Sequence, residues 1–478
     1  MWKIQLGMQL TFGLFWGHLL QVWVRQIYAP FSFLGLPNLK SFAKNTYRKI
    51  EDLVGKHIRQ VADNSMVSAL DSEAELTQIK KNLSTTDWKK SEFPIGITVS
   101  YDMGWNKRSS GKTYDSLSGH ALMIGALSKK IVSARVVNKE CSTCTQAQRM
   151  GTEAKDHECP RNHEGSSKSM EADTALYLVN KLDDYSDSKL YIEAFVTDDD
   201  SSIRAMLSYF NPESGKKKGK LPDHIPEPKW LADPSHRTRV VAKAIFALVK
   251  LRMSESECRS IDAQGFKRYF SQCRTGTLEQ IMVRCKAVLE HMFDDHTFCD
   301  PKWCVPLRAS LGMDELPTQC ITVPVDEPER SQNEVQSESK VQYYRNKIEH
   351  LLLYEQLKIA LAPYITPERL LECLHTYDTQ LNEALNYLIS LYAPKNRTYC
   401  TTMSLTNRFM IVVGIHNMGY YNFWNTVLHS IGLHMPFPLR GNLHLQDKKK
   451  EKKRKYSSQR EVKIKRRKMQ NEKYQVML

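Results

Sequence analysis

The spacing of apolar residues changes at Glu92, and that change constrains the fold of this chain more than any other feature. Before residue 85 apolar side chains recur at helical intervals, with Leu36-Pro37 dividing an opening uncharged run, 4–24, from a segment ending near Lys81. After Glu92 apolar and polar residues alternate, the signature of a strand. The alternation predicts strands over 94–101, 119–126 and 131–137, the last two joined by a tight turn at Lys129-Lys130. A Cys/His-rich loop, 139–165, comes next, then a helix from Gly165 through Val179. The apolar run Tyr191–Thr197 reads as a fourth strand and 201–210 as a short helix. On packing grounds this order favours three layers, helix on sheet on helix.

Three strands, a helix, a strand and a helix is also the order of an RNase H-like core, in which the first and fourth strands are neighbours. The expected fold class is α/β: an RNase H-like mixed-sheet core with a large helical insertion, a helical N-terminal region and a disordered basic tail. The boundaries fall at 1–85 for the helical N-terminal region and 92–250 for the core. A helical insertion with an acidic linker containing Pro317, Pro324 and Pro328 covers 251–340. Helices 341–362, 367–377 and 379–392 belong to a C-terminal part of the core, 341–430, and the tail is 447–478. The run 4–24 reads as a packed helix: Gln5, Gln9, His18 and Gln21 make it too polar for a membrane span, and it has no clear small-residue cleavage site.

Three acids stand where this order could gather them. Asp102 ends the first strand, Asp198 closes the fourth, and Glu383 lies in the first turn of the helix 379–392. That helix buries a stripe of Leu381, Leu385, Leu388, Ile389 and Tyr392, with Thr379 as N-cap and Asn382, Glu383 and Asn386 on the opposite side. Carboxylates at strand ends face a crevice, and three of them on neighbouring elements can hold two Mg²⁺ for phosphodiester chemistry. Asp200 rivals Asp198; Asp198 is preferred because it directly follows the strand. His236, in Asp233-Pro234-Ser235-His236, opens another helix and either orients a phosphate or the Asp198 region, or simply packs there.

Eleven cysteines, several in short Cys/His clusters, suit a reducing compartment and metal binding better than a disulfide framework. Cys141-x₂-Cys144 is followed by His157, Cys159 and His163, three candidates for the two remaining places of a tetrahedral zinc site. His291-x₄-His296-x₂-Cys299-x₄-Cys304 fits a second site. Both would be structural, since every ligand place can be filled by protein.

The net charge of +15 is concentrated at one end: after Asp447 there are 14 Lys/Arg against 3 Asp/Glu, leaving a nearly neutral body. Lys452, Lys453, Arg454 and Lys455, then Lys465, Arg466, Arg467 and Lys468, form a bipartite-like import signal. The same cations would bind DNA phosphates. Lys216–Lys218 and Lys220 make a smaller basic loop that could touch the DNA backbone.

Five blocks carry a resemblance. Tyr101-Asp102-Met103-Gly104-Trp105 through Gly111, Gly165–Ala172, Asp198-Asp199-Asp200-Ser201, Asp233–Arg237 and Asn382–Asn386 with Ala393–Cys400 occur in the order found in the Mutator-like (MULE-type) DDE transposase family. The chain resembles that family over roughly residues 92–430. The resemblance implies DNA cleavage at transposon ends followed by transfer of the freed 3′-hydroxyl to target DNA. It makes Asp102, Asp198 and Glu383 the ligands of two Mg²⁺ or Mn²⁺ ions, with the 185-position gap from Asp198 to Glu383 a helical insertion. It further implies double-stranded DNA as partner and a homo-oligomer. The tail adds an import receptor and a nuclear location. The alternatives are a transposon-derived nuclear DNA-binding protein that no longer cuts, and a two-metal nuclease without strand transfer.

Overall fold

The computed structural model describes residues 44–83, 87–106, 115–198, 200–209, 219–237, 239–241, 243, 277–291, 293–301, 304–313, 348 and 351–466. The opening run 4–24, Lys107–Gly111 of the first block, Lys216–Lys218, the 314–340 linker, Arg467 and Lys468 lie outside them. The chain divides into two compact units. The first contains residues up to Phe195, Asp200–Lys229 and everything from Thr379; the second contains Val196–Asp199 and Trp230–Asp378.

The predicted strands form: β1 (Ile95–Trp105), β2 (Ser118–Gly125), β3 (Ile131–Asn138) and β4 (Leu190–Thr197). A short strand, β5 (Lys229–Ala232), was not expected from the sequence, because four residues are too few to show a period. The sheet order is β3-β2-β1-β4-β5. β1–β2 and β2–β3 are antiparallel. β1 and β4 run parallel, because their starts lie together: Ile95 N donates to Lys189 O at 2.8 Å, and Gly96 abuts Tyr191 and Glu193.

Alternation along β1 decides which layer covers which face. Ile97, Val99, Tyr101 and Met103 project to one side, where the Tyr101 hydroxyl donates to Glu171 O at 2.8 Å on α3 (Met170–Ser186). Gly96, Thr98, Ser100, Asp102 and Gly104 project to the other, a face of small and polar residues. Every residue of β2 is buried, as expected for a sheet covered on both sides.

On the second face lies a core built by α1 (Lys44–Lys80), α9 (Gln380–Tyr392), α10 (Ser404–Met418) and α11 (Tyr420–Ser430), numbering helices in chain order. Val54, Ile58 and Val61 of α1 meet Leu122 and Ile124 of β2, Leu385 and Ile389 of α9, Phe409 and Val413 of α10, and Phe423 of α11. Buried Glu73 on α1 accepts from Leu127 N (2.9 Å) and Ser128 N (2.6 Å), capping the β2–β3 turn.

Several expectations need correcting. β1 does not stop at Asp102; it stays paired to β2 through Gly104↔His120 and Trp105↔Gly119, so the acid is inside the strand. The loop 139–165 contains a helix, α2 (Ser142–Met150), closed by Gly151 at φ 63°. Asn382 is fully buried rather than on the outer side of α9, and Thr379 occupies the N-cap position without a capping side-chain bond.

The tail is helical rather than disordered over its described part: α12 spans Phe437–Ser458, and 460–466 are helical too. Its start is pinned because Asp447 accepts from Tyr420 N (2.8 Å) and Tyr421 N (3.0 Å) at the head of α11. Good helix formers then continue it, with a Glu451–Lys455 pair at 2.8 Å.

The second unit contains α5 (Leu278–His291), α6 (Val305–Ser310), α7 (Leu351–Leu361) and α8 (Pro367–Leu371). Ile281, Leu289, Phe293, Leu353, Leu357 and Leu370 form its core. Tyr354 donates to Glu290 at 2.6 Å, giving that buried acid a partner.

Candidate active site and metal centres

The first unit brings Asp102 and the helix of Glu383 together. Asn382 on α9 accepts from Ser100 Oγ at 2.7 Å and donates to Leu122 O at 2.9 Å. One turn later, Asn386 Nδ2 donates to Asp102 Oδ2 at 2.8 Å. The match is geometric: two residues along a strand advance about 6.8 Å and four along a helix about 6 Å, so two amides meet two successive residues of one strand face. Glu383 is exposed in the first turn of α9, between the two amides in sequence. Asp102 is half-buried. Burial pushes the Tyr101 hydroxyl well above its ordinary pKa, and the charges of Glu171, Asp102 and Asp200 add to the shift. Asp200 also caps the short helix α4 (Ser201–Met206), its Oδ1 accepting from Ser202 N (2.6 Å) and Ile203 N (3.1 Å).

In the second unit Asp198 pairs with His236, Oδ2 to Nδ1 at 3.2 Å. That bond raises the histidine's pKa, against an opposing effect of burial. Asp233 fixes the turn by accepting from Ser235 N (2.6 Å) and His236 N (3.2 Å). Arg237 is buried and anchored to Glu372 at 2.8 Å.

Of the five candidates around 139–165, the structure gathers Cys141, Cys144, His157 and Cys159, whose ligand atoms all lie within 4.8 Å of one another. His163 is outside the group: its Nε2 faces Ser166 O (3.1 Å) and Ser169 Oγ (3.2 Å). A tetrahedral Zn²⁺ with bonds of about 2.3 Å to sulfur and 2.0 Å to nitrogen sets S–S edges near 3.8 Å and S–N edges near 3.5 Å. The observed edges fit: Cys144–Cys159 3.6 Å, Cys144–His157 Nε2 3.5 Å and Cys141–His157 Nε2 3.1 Å. His157 Nδ1 faces Lys155 O at 2.7 Å, which turns Nε2 toward the thiols. Burial opposes ionisation of Cys141, but the Cys144 backbone N–H and the His157 ring outweigh it and lower the thiol to about 7.

His291, His296, Cys299 and Cys304 form the second group. Both Nδ1 atoms approach Cys304, at 3.8 and 3.5 Å, and Cys299 Sγ lies 3.4 Å from His291 Nδ1. His296 Nε2 is held by Asp294 at 3.1 Å. Burial, with the neighbouring His296, lowers His291 to about 4, so its ring is neutral and ready to bind a cation.

Two groups of four Cys/His residues that could each hold a metal ion, and an acid on β1 tied to an acid-bearing helix, define the class: an α/β protein with candidate metal centres and a candidate carboxylate site. The family model of the Mutator-like transposase matches residues 31–304, more than half of the chain. The chain therefore belongs to the Mutator-like transposase family, which brings a transposase-related function and DNA binding. The matched residues include Asp102, Asp198, His236 and both Cys/His groups; Glu383 lies beyond them. No curated protein and no solved structure matches the chain. Among the described residues no helix is long and apolar enough to cross a membrane.

Proposed function

We propose that this chain is a DDE-type transposase that cleaves DNA at transposon ends and joins the freed 3′-hydroxyl to target DNA. Asp102, Asp198 and Glu383 are its divalent-metal ligands, on an RNase H-like core. The observation that carries this reading is the pair of amides that clamps the Glu383 helix onto the strand of Asp102. The order β3-β2-β1-β4-β5, with β1 beside β4, supports the core assignment. Asp200 spends one oxygen on its helix cap, which favours Asp198 as the second acid. Two bound Mg²⁺ or Mn²⁺ ions supply activation of water or a 3′-hydroxyl and stabilisation of the leaving 3′-oxygen. The protein's part is to hold its carboxylates: Asn386 fixes Asp102, and His236 fixes Asp198.

Both Cys/His groups take structural Zn²⁺, since four protein ligands leave no open position. Lys452, Lys453, Arg454, Lys455, Lys465 and Arg466 are exposed along the tail. They suit phosphate contacts and an import receptor, hence a nuclear protein that works as a homo-oligomer on double-stranded DNA.

The test is nicking and joining of DNA carrying element ends, with Mg²⁺ or Mn²⁺, by wild type and Asp102→Ala. Wild type nicks and joins, and the variant does neither while still binding DNA. If wild type binds DNA without cutting it, the catalytic reading fails and a DNA-binding role remains. Nicking without joining makes the protein a nuclease.

A further inference from the structure

His120 is an oddity of the first unit. It lies on β2, opposite Gly104 of β1, and is only 2% exposed. Apart from Asn386, neither ring nitrogen has a hydrogen-bond partner among the described residues. A buried polar group without a partner is costly and calls for a reason. Beside it Asn386 has the complementary shortfall. A carboxylate only accepts, so the amide nitrogen of Asn386 is committed to Asp102 and its Oδ1 faces away. That Oδ1 is buried and, apart from His120, has no donor among the described residues. The two meet over Gly104: a Cβ there would collide with His120 Nε2 and come within 3.0 Å of Asn386 Oδ1. Two residues past Asp102 on the same strand face, the missing side chain leaves room for both groups.

We infer that Asn386 is a positioning residue for Asp102, and that His120 in turn orients the Asn386 amide. The relay runs His120 Nε2–H to Asn386 Oδ1, and Asn386 Nδ2–H to Asp102 Oδ2. It holds one carboxylate oxygen so that the other faces a divalent cation. This rests on the reading of Asp102 as a metal ligand. Burial, with the charge of Lys395, lowers His120 to about 3, so the ring stays neutral and carries a single N–H to donate. The donor set is that of an outer shell around a metal-binding carboxylate, whose loss typically weakens metal binding about 10- to 100-fold.

The experiment measures Mn²⁺ binding to the full chain, zinc-loaded and without DNA, by electron paramagnetic resonance of free Mn²⁺. Asn386→Leu and Asn386→Ser weaken binding about 10- to 100-fold with the helical circular dichroism retained. His120→Phe keeps the ring volume and weakens it less. The double variant His120→Phe/Asn386→Leu is no weaker than Asn386→Leu alone, because the two act in series. Asp102→Asn removes the ligand itself. If Asp102→Asn loses Mn²⁺ while folded Asn386 variants bind as wild type does, the positioning role is overturned and the metal site stands. If Asp102→Asn binds as wild type does, the metal reading fails and the relay falls with it. Should Asn386→Leu misfold, the smaller Asn386→Ser decides the same question.

Discussion

Asn386 donates to Asp102 at 2.8 Å across 284 residues of chain, and that bond ties the helix carrying Glu383 to the strand carrying the first acid. It has a companion one turn earlier in Asn382, so the helix is fixed in register and not merely packed.

Asn382 is wholly buried and serves Ser100 and Leu122. Asn382→Leu leaves the Leu122 carbonyl and the Ser100 hydroxyl without that partner and lowers stability by about 1–3 kcal/mol. Urea unfolding measures this, and Mn²⁺ binding falls with it because α9 loses its register.

Zinc content distinguishes the two groups from their surroundings. Wild type carries two zinc ions per chain by elemental analysis; Cys144→Ser or Cys299→Ser carries one. His163→Ala keeps both, because its ring faces Ser166 and Ser169 instead of the cluster. Chelation lowers the melting temperature, since metal binding here is folding free energy.

His120 gives stability a pH dependence of defined sign. Its folded pKa of about 3 lies below the ordinary 6.5, so below pH 6.5 the unfolded chain binds a proton that the folded chain refuses. The stability present above pH 6.5 is lost as pH falls through the window from 6.5 toward 3, by up to about 1.4 kcal/mol per pH unit. His120→Phe flattens that part of a chemical-denaturation pH series.

Asp198 and Asp200 separate by substitution. Asp200→Asn keeps an acceptor for Ser202 N and Ile203 N and retains strand nicking; Asp200→Ala loses the cap and about 1 kcal/mol of stability. Asp198→Asn abolishes nicking with little change in melting temperature. Nicking abolished by Asp200→Asn and spared by Asp198→Asn would exchange their roles.

The strands were legible because β1 alternates cleanly, with Ile97, Val99 and Tyr101 against Thr98, Ser100 and Asp102. The Cys/His ligands were legible from spacing, but only the fold could choose Cys159 over His163. What stayed hidden has physical causes. Helix α10 is apolar around its whole circumference from Phe409 through Ile415, and buries Asn407 and Arg408 as well, so it shows no stripe. Asn382 and Asn386 read as a polar outer face, because sequence cannot show that the strand they meet is itself polar. The helical tail was masked by its charge, and Asp447, which pins its start, is distinguished only by its contact with α11.

The most direct test is a crystal soaked in Mn²⁺, with the ions located by anomalous scattering. The account predicts two Mn²⁺ peaks about 3.5–4 Å apart, both bound by the Asp102 carboxylate and bracketed by Asp198 and Glu383. Mn²⁺ found elsewhere, with Asp102 contacting no ion at saturating concentration, would contradict it.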